Sequence, residues 1–172
     1  PSLTIDKSLE DILNQEERID FLLVEGAISS NKEFSTISES STFNQLNILA
    51  SKSNYIIAVG SCASYGGIHS KFTQNSGICG IKDIINREIL TNLKYEIINL
   101  TGCPVHPEWI LQTLFSLKNF GKISVDELGR PKELYGHLSH HGCTRNEYFE
   151  WKVEGKIGQK EGCLFYHQGC RA

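Results

Sequence analysis

The amino-acid sequence predicts an α/β fold built around a parallel sheet with helices on both faces. Three apolar runs, at residues 19–24, 55–59 and 95–100, have the composition of buried strands, and a glycine follows each run within two residues. Stretches with apolar residues at helical spacing lie between and after these runs. Because continuous apolar strands that alternate with helices are typical of parallel sheets covered on both faces, we expect this architecture for residues 1–121.

The helices are predicted from apolar residues that recur every three or four positions. A serine, Ser40 or Ser41, suits the start of the first helix because its hydroxyl can accept a hydrogen bond from a free N–H of the first turn. Pro107 suits the start of the last helix, where its missing N–H costs nothing. The apolar positions that we expect to face the sheet are Phe43, Leu46, Leu49 and Ala50; Ile81, Ile84, Ile85 and Ile89; and Ile110, Leu111, Leu114 and Leu117.

The composition changes beyond residue 121. Glycine, histidine, tyrosine and charged residues dominate residues 122–172, and the periodic apolar positions end. Since such a segment cannot bury much of a core by itself, we expect either a loop-rich appendage or a small part organised by metal. The sequence therefore predicts two parts, a domain at 1–121 and a segment at 122–172.

The overall composition limits the classes of function. Hydrophobic residues make up 40% of the chain and charged residues 22%, which is ordinary for a globular protein. The formal net charge of −3 argues against nucleic acid as a partner. No apolar run approaches the roughly 20 residues that span a bilayer, and no signal-peptide pattern opens the sequence. The chain begins with Pro1 and has no methionine, so we interpret it as processed, truncated or fragmentary.

Two cysteines occupy equivalent places beyond neighbouring predicted strands. Cys62 follows the run at 55–59, and Cys103 follows the run at 95–100. In an open parallel sheet, ligands bind at the carboxyl ends of the strands, so the two thiols could share one site there. Glycines beside the cysteines would let the backbone approach a bulky metal cluster. The alternative is that both sequences are tight turns with incidental thiols, although two such turns in register favour ligation.

A second group of potential ligands lies in the segment at 122–172. His140 and Cys143 are three residues apart and can point at one site from a single turn. Two further thiolates, Cys163 and Cys170, would complete a set of four ligands. One imidazole and three thiolates suit either a tetrahedral zinc ion or a 4Fe–4S cluster, and the spacing does not separate the two. Nearby histidines that could replace His140 are His137, His141 and His167.

Short motifs that contain these residues follow one another along nearly the whole chain. They are VEGAI at 24–28, VGSCASYGG at 59–67, GCPVHP at 102–107, GRPK at 129–132, HHGC at 140–143, and GCLF at 162–165 with GC at 169–170. In this order the motifs resemble those of nickel–iron hydrogenase small subunits. The resemblance implies a flavodoxin-like domain followed by a segment that binds iron–sulfur clusters.

The resemblance also implies a role for each group of ligands. Cys62 and Cys103 match two ligands of the proximal 4Fe–4S cluster, which is the one nearest the nickel–iron centre. His140 is preferred over His141 because it lies four residues after Gly136, as the family's ligand histidine does after its glycine. The residues that match the ligands of the distal 4Fe–4S cluster, near the protein surface, are His140, Cys143, Cys163 and Cys170.

By the same resemblance, the chain is an electron-transfer subunit without a catalytic residue of its own. The nickel–iron centre that splits hydrogen would lie in a separate large subunit, and the electrons would go to a redox partner such as a cytochrome or another carrier. The resemblance suggests a periplasmic or membrane-associated location, and a cytoplasmic one is also compatible with the sequence. The alternatives are a structural zinc-binding interaction module on an α/β domain and the related cluster-bearing subunit of a quinone-linked complex.

Some features depart from the family's pattern. The family supplies two more proximal ligands from a Cys-x-x-Cys loop, and this sequence contains no such loop. Six residues separate Cys163 from Cys170, one more than the family's spacing, and the chain ends where many members continue to a third, medial cluster. Cys79 is expected to be a plain buried thiol. Gly67 stands where oxygen-tolerant relatives have an additional cysteine, so the resemblance implies the standard, oxygen-sensitive type.

Overall fold

The structure is a computed structural model, and it describes residues 11–14, 16–31, 34, 36–37, 40–72 and 76–170. The chain packs into two units, Pro1–Pro131 and Lys132–Ala172, and each is described by itself. In chain order, the strands are β1 (Ile19–Glu25), β2 (Ile28–Ser29), β3 (Thr36–Ile37), β4 (Ser40–Ser41), β5 (Ser53–Val59), β6 (Ile78–Cys79) and β7 (Ile98–Leu100).

The helices lie between and after these strands. They are α1 (helical at 11–14), α2 (Thr42–Lys52), α3 (Gly60–Tyr65), α4 (His69–Phe72), α5 (Ile81–Ile84), α6 (Arg87–Asn92), α7 (Pro107–Phe120), α8 (Lys132–Tyr135) and α9 (Asn146–Glu150), with a 3₁₀ turn at Ser139–Gly142. Among the residues described, none of these helices has the length and apolar character needed to cross a membrane.

A three-stranded parallel sheet forms the centre of the first unit. Strand β5 lies between β1 and β7, and both neighbours run parallel to it. In the register of the sheet, Val24 pairs with Ala58, and Ala58 pairs with Asn99. The prediction of an α/β fold with a parallel sheet flanked by helices is confirmed. The strand predicted at 95–100 is shorter in the structure, where β7 begins at Ile98. The ring of Tyr95 instead stacks on the ring of Tyr55, with the two centroids 4.5 Å apart.

Apolar side chains from the sheet and its helices form one core in the first unit. Complete burial of a branched aliphatic side chain contributes about 1.5–3 kcal/mol, so this core fixes β5 and therefore the residues that follow its end. The buried members of the core are Val24, Leu46, Ala50, Ile56, Ala58, Ala63, Ile81, Ile84, Ile85 and Ile97.

The predicted helix at 81–89 is divided into two. Ile85 and Asn86 have extended backbone conformations and separate α5 from α6. The backbone N–H of Asn86 donates instead to the side-chain oxygen of Asn47 at 2.8 Å. A side chain from α2 thus takes the hydrogen bond that a continuous helix would have used.

Two details of the other predicted helices also differ. Ser41 occupies the N-cap position of α2, but its side chain makes no capping hydrogen bond. In α7, Leu117 is buried as predicted, whereas Leu111 is 65% exposed and Thr113 is buried in its place. The ends of α7 follow the expected rules, with Pro107 in the first turn and Gly121 in a left-handed conformation at the C-cap.

The second unit contains little regular structure. It consists of α8, the 3₁₀ turn, α9 and an isolated bridge between Glu154 and Cys163. The first unit extends to Pro131, beyond the predicted boundary between residues 121 and 122. The reason is that Asn99 of β7 binds the turn before Pro131, since its backbone N–H donates to Gly129 at 2.8 Å and its side-chain amide donates to Leu128 at 2.7 Å.

Candidate metal centres

The first candidate site lies at the carboxyl edge of the parallel sheet. Strand β5 runs directly into α3, which carries Cys62, and Cys103 follows the end of β7. The two loops are tied together because the N–H of Ser61 donates to Gly102 O at 2.9 Å and the N–H of Gly102 donates to Ser61 Oγ at 3.3 Å. The structure therefore brings the two thiols to one edge of the sheet. The sequence did not predict helix α3, because the residues that begin it, from Gly60 to Cys62, are typical of a tight turn.

Both thiols line one cavity of about 470 Å³, here called the sheet-edge cavity. Its wall also includes Glu25 and Gly26 at the end of β1. Cys62 is half-buried and Cys103 is exposed, so the thiols are accessible from this cavity. The cavity therefore has two thiols in its wall, and thiolates are the donors that iron–sulfur clusters use.

Gly67 controls the space beside the Cys62 thiol. Its φ of +60° is in the left-handed region, and a Cβ built at this position would lie 2.8 Å from Cys62 Sγ. Any larger residue would therefore crowd the sulfur as well as strain the backbone. Glycine at this position keeps the thiol unobstructed.

The second candidate site lies wholly within the second unit. The four predicted ligands line a single cavity of about 310 Å³, here called the four-ligand cavity. The other side chains in its wall are Ser139, Arg145, Phe149 and Phe165. Three separate stretches of chain deliver the four ligands: the 3₁₀ turn and the residue after it deliver His140 and Cys143, the bridge delivers Cys163, and the C-terminal loop delivers Cys170.

The structure distinguishes His140 from the other histidines of the second unit. The His140 ring meets Phe149 edge-on with centroids 4.2 Å apart, and its Nε2 is buried without a hydrogen-bond partner. Glu150 Oε1 approaches Nε2 only to 3.9 Å, which is too far for a hydrogen bond. His137 and His141 are exposed, and His167 pairs with Glu154 at 2.7 Å. His140 is thus the histidine that lines the four-ligand cavity with an unused nitrogen.

Two of the sulfur atoms accept backbone hydrogen bonds. The N–H of Arg145 donates to Cys143 Sγ, and the N–H of Phe165 donates to Cys163 Sγ, both at 3.4 Å. In each case the donor lies two residues after the cysteine. Hydrogen bonds to sulfur stabilise the charged thiolate form and are among the means by which proteins adjust the potential of a bound cluster.

The size of the four-ligand cavity bears on what it could hold. A structural zinc ion draws its four ligands to about 2.0–2.3 Å from one point and leaves no space between them. The volume of the four-ligand cavity is about 310 Å³. This is roughly ten times the volume that one molecule occupies in liquid water, which is about 30 Å³. A bulky cluster with one ligand on each iron fits the open space and the donor set.

Cys79 lies outside both cavities. It is half-buried in β6, and burial, with a smaller contribution from the Asp83 carboxylate, raises the pKa of its thiol. A raised pKa favours the neutral thiol over the thiolate that binds metals.

A family model described as NADH ubiquinone oxidoreductase, 20 Kd subunit, matches residues 2–117. The chain belongs to this family. The chain is 34% identical over 187 aligned positions to the F420 non-reducing hydrogenase II small subunit of Methanosarcina mazei. This alignment covers 95% of this chain and 47% of that protein. It is 30% identical to the periplasmic NiFe hydrogenase small subunit 1 of Nitratidesulfovibrio vulgaris, over 87% of this chain and 48% of the relative.

Comparison with a solved structure shows that the similarity of this chain to hydrogenases includes the fold. The actinobacterial-type NiFe-hydrogenase from Ralstonia eutropha H16 matches with a TM-score of 0.70 and 26% identity, over 90% of this chain and 50% of that chain. The resemblance to hydrogenase small subunits seen in the sequence motifs is thereby confirmed. The chain spans about half the length of the curated relatives it matches.

Proposed function

We propose that the chain is the electron-transfer small subunit of a nickel–iron hydrogenase and relays electrons between a hydrogen-activating large subunit and an acceptor. The single observation that carries the proposal is the four-ligand cavity, on which an imidazole and three thiols converge from three stretches of chain. The hydrogenase relatives support it, because the motifs that contain these residues are those that resemble the small subunits.

In this proposal His140, Cys143, Cys163 and Cys170 hold the distal 4Fe–4S cluster, which when bound accepts and releases single electrons. The work of the chain is to hold the cluster, to shield it and to set its potential. His140 Nε2 accepts no hydrogen bond from the protein and is free to bind iron. Phe149 and Phe165 provide apolar walls, and backbone N–H groups donate hydrogen bonds to the sulfur atoms of Cys143 and Cys163.

The sheet-edge cavity has the corresponding role for the proximal cluster. Cys62 and Cys103 would supply two of the four thiolates that a 4Fe–4S cluster requires. The other two ligands would come from outside the loops that carry these cysteines. Gly67, which keeps the Cys62 thiol unobstructed, fits the standard cluster of oxygen-sensitive enzymes better than a modified cluster with an additional cysteine.

The partner in this proposal is the hydrogenase large subunit, which would contain the nickel–iron centre and form a heterodimer with this chain. The first unit would act as the flavodoxin-like domain and the second as the cluster-binding segment. A cytochrome or another electron carrier would receive the electrons. This chain would supply no catalytic acid or base.

Metal analysis of the heterodimer tests the proposal. The complex is purified anaerobically, and iron, labile sulfide and zinc are measured together with the visible and electron paramagnetic resonance spectra. Changing Cys143 to Ala should remove the signal of one cluster and lower iron by up to about four atoms per complex. The matched control Cys79→Ala removes a thiol outside both cavities and should leave iron and sulfide unchanged. One zinc ion bound through Cys143, with no sulfide lost in the variant, would instead support the structural zinc module.

The description of the matched family model favours one further candidate, a cluster-bearing subunit of a quinone-linked complex. The same heterodimer separates the two functions. Hydrogen-dependent reduction of a viologen dye supports the hydrogenase function, whereas quinone reduction without any reaction with hydrogen supports the other.

A further inference from the structure

Arg145 joins two stretches of chain that carry ligands of the four-ligand cavity. On one side, its backbone N–H donates to Cys143 Sγ at 3.4 Å. On the other side, its guanidinium donates to carbonyl oxygens of the turn that immediately precedes Cys163. The acceptors are the carbonyl oxygens of Gly162 at 2.7 Å, Glu161 at 3.5 Å, and Gln159.

The other contacts of Cys163 do not reach this turn. The Cys163 N–H donates to Val153 O at 2.8 Å, and its carbonyl accepts from the N–H of Gly155 at 2.9 Å. Both bonds connect Cys163 to the stretch after α9, and neither involves residues 159–162. The guanidinium therefore provides a direct side-chain link from the preceding turn to the stretch containing Cys143, in addition to the backbone contacts that this turn makes with Gly155 and Lys156.

Arginine has the shape that this link requires. Its planar guanidinium carries five N–H donors in a fixed fork and can bond several acceptors at once, whereas the ammonium of lysine is a compact point charge. Arg145 also lines the four-ligand cavity, so a cationic residue is part of the wall that surrounds the candidate ligands. A bound cluster becomes more negative when it is reduced, and a fixed cation beside it favours the reduced form.

We propose that Arg145 is a positioning residue that holds Cys163 in register with Cys143 and raises the reduction potential of the cluster they bind. This inference rests on the proposed function, since it requires a cluster in the four-ligand cavity. Arg145 was missed from the sequence, because nothing in the spacing of a surface arginine indicates that it bonds carbonyls fourteen to seventeen residues away.

The experiment compares Arg145→Lys and Arg145→Gln in the anaerobic heterodimer, with Lys156→Gln as the matched control. Lys156 is an exposed cation in the same unit, so its loss removes a charge without removing the link. Iron content, the rate of iron loss to a chelator and the reduction potential from a redox titration followed by electron paramagnetic resonance are measured. Both Arg145 variants should lose iron roughly tenfold faster, as expected when a residue that orients metal ligands is removed. Only Arg145→Gln should also shift the potential downward.

The outcomes separate this inference from the proposed function. A lysine variant that resists the chelator as well as the wild type would overturn the positioning role, and a glutamine variant with unchanged potential would overturn the electrostatic role. A wild-type complex without labile sulfide in the second unit would refute the proposed function before any variant is compared. If Arg145→Gln does not assemble, the lysine variant still tests the positioning role, and titration of its cluster at increasing ionic strength tests the effect of the retained charge.

Discussion

The two units hold their candidate ligands by different physical means. Of the seventeen buried apolar residues described, all except Cys163 lie in the first unit. There the core fixes the strands, and Cys62 and Cys103 are positioned because they follow strand ends. Of the residues described in the second unit, Cys163 is the single buried apolar one, and it is itself a candidate ligand. The first candidate site is therefore positioned by the core, whereas the second is positioned by hydrogen bonds and, in the proposed function, by the cluster that it would hold.

The largest expected effect follows from this difference. If the proposed function holds, removing iron from the anaerobic heterodimer with a chelator should loosen the second unit, because the bound cluster would supply folding energy that a core does not supply there. The strands of the first unit should keep their protection from hydrogen exchange. Amide hydrogen exchange measured by mass spectrometry before and after chelation, peptide by peptide, checks this expectation.

Chelation of a preparation that already lacks iron provides the control for effects of the chelator itself. Unchanged exchange in the second unit after complete iron loss would show that its hydrogen bonds alone stabilise the unit. In that case the contrast between the two units would be one of composition rather than of stability.

The next largest effect concerns the core of the first unit. Ile57 is fully buried in β5, so Ile57→Ala should lower the free energy of unfolding by about 2–5 kcal/mol. The matched control Leu111→Ala removes a similar side chain that is 65% exposed, and it should change stability by no more than about 0.5 kcal/mol. Denaturant unfolding of the chain, followed by far-ultraviolet circular dichroism, measures both. Equal losses in the two variants would contradict the assignment of the core to the sheet.

A smaller effect is expected at the edge of the sheet. Gly67→Ala places a Cβ near Cys62 Sγ and a side chain in the left-handed region, which costs roughly 1–2 kcal/mol in the backbone alone. Gly158→Ala has the same backbone cost, since φ is +88°, but meets no atom within 4 Å. Only the first variant should reduce cluster content at the sheet-edge cavity, as measured by iron analysis and electron paramagnetic resonance. Similar cluster content in both variants would mean that space beside Cys62 is not limiting.

The sequence was sufficient to predict the parts of the molecule that depend on local pattern. Apolar runs located the strands, and residue type with spacing selected the candidate ligands, which line the two cavities. Features that depend on distant partners could not be predicted. The break between α5 and α6 requires the side chain of Asn47, and the role of Arg145 requires carbonyls in another loop. Spacing alone also left several histidines open, and the structure distinguishes His140 because it lines the four-ligand cavity and its Nε2 is buried.

The smallest expected effect concerns the turn that attaches residues 125–131 to β7. A hydrogen bond from the Arg130 side chain, with further bonds from the backbone N–H groups of Arg130 and Leu128, holds the pKa of Asp126 below its ordinary value. Because the folded pKa is depressed, the carboxylate stabilises the turn above the unfolded pKa of about 3.9, and this contribution is lost as the pH falls through the folded value. Asp126→Asn should therefore abolish the acid-induced loosening of the turn, which the pH dependence of its amide chemical shifts measures. The control Glu127→Gln neutralises a neighbouring carboxylate in the same turn and should retain the acid-induced loosening. If Asp126→Asn also retained this loosening, another group would be responsible for it.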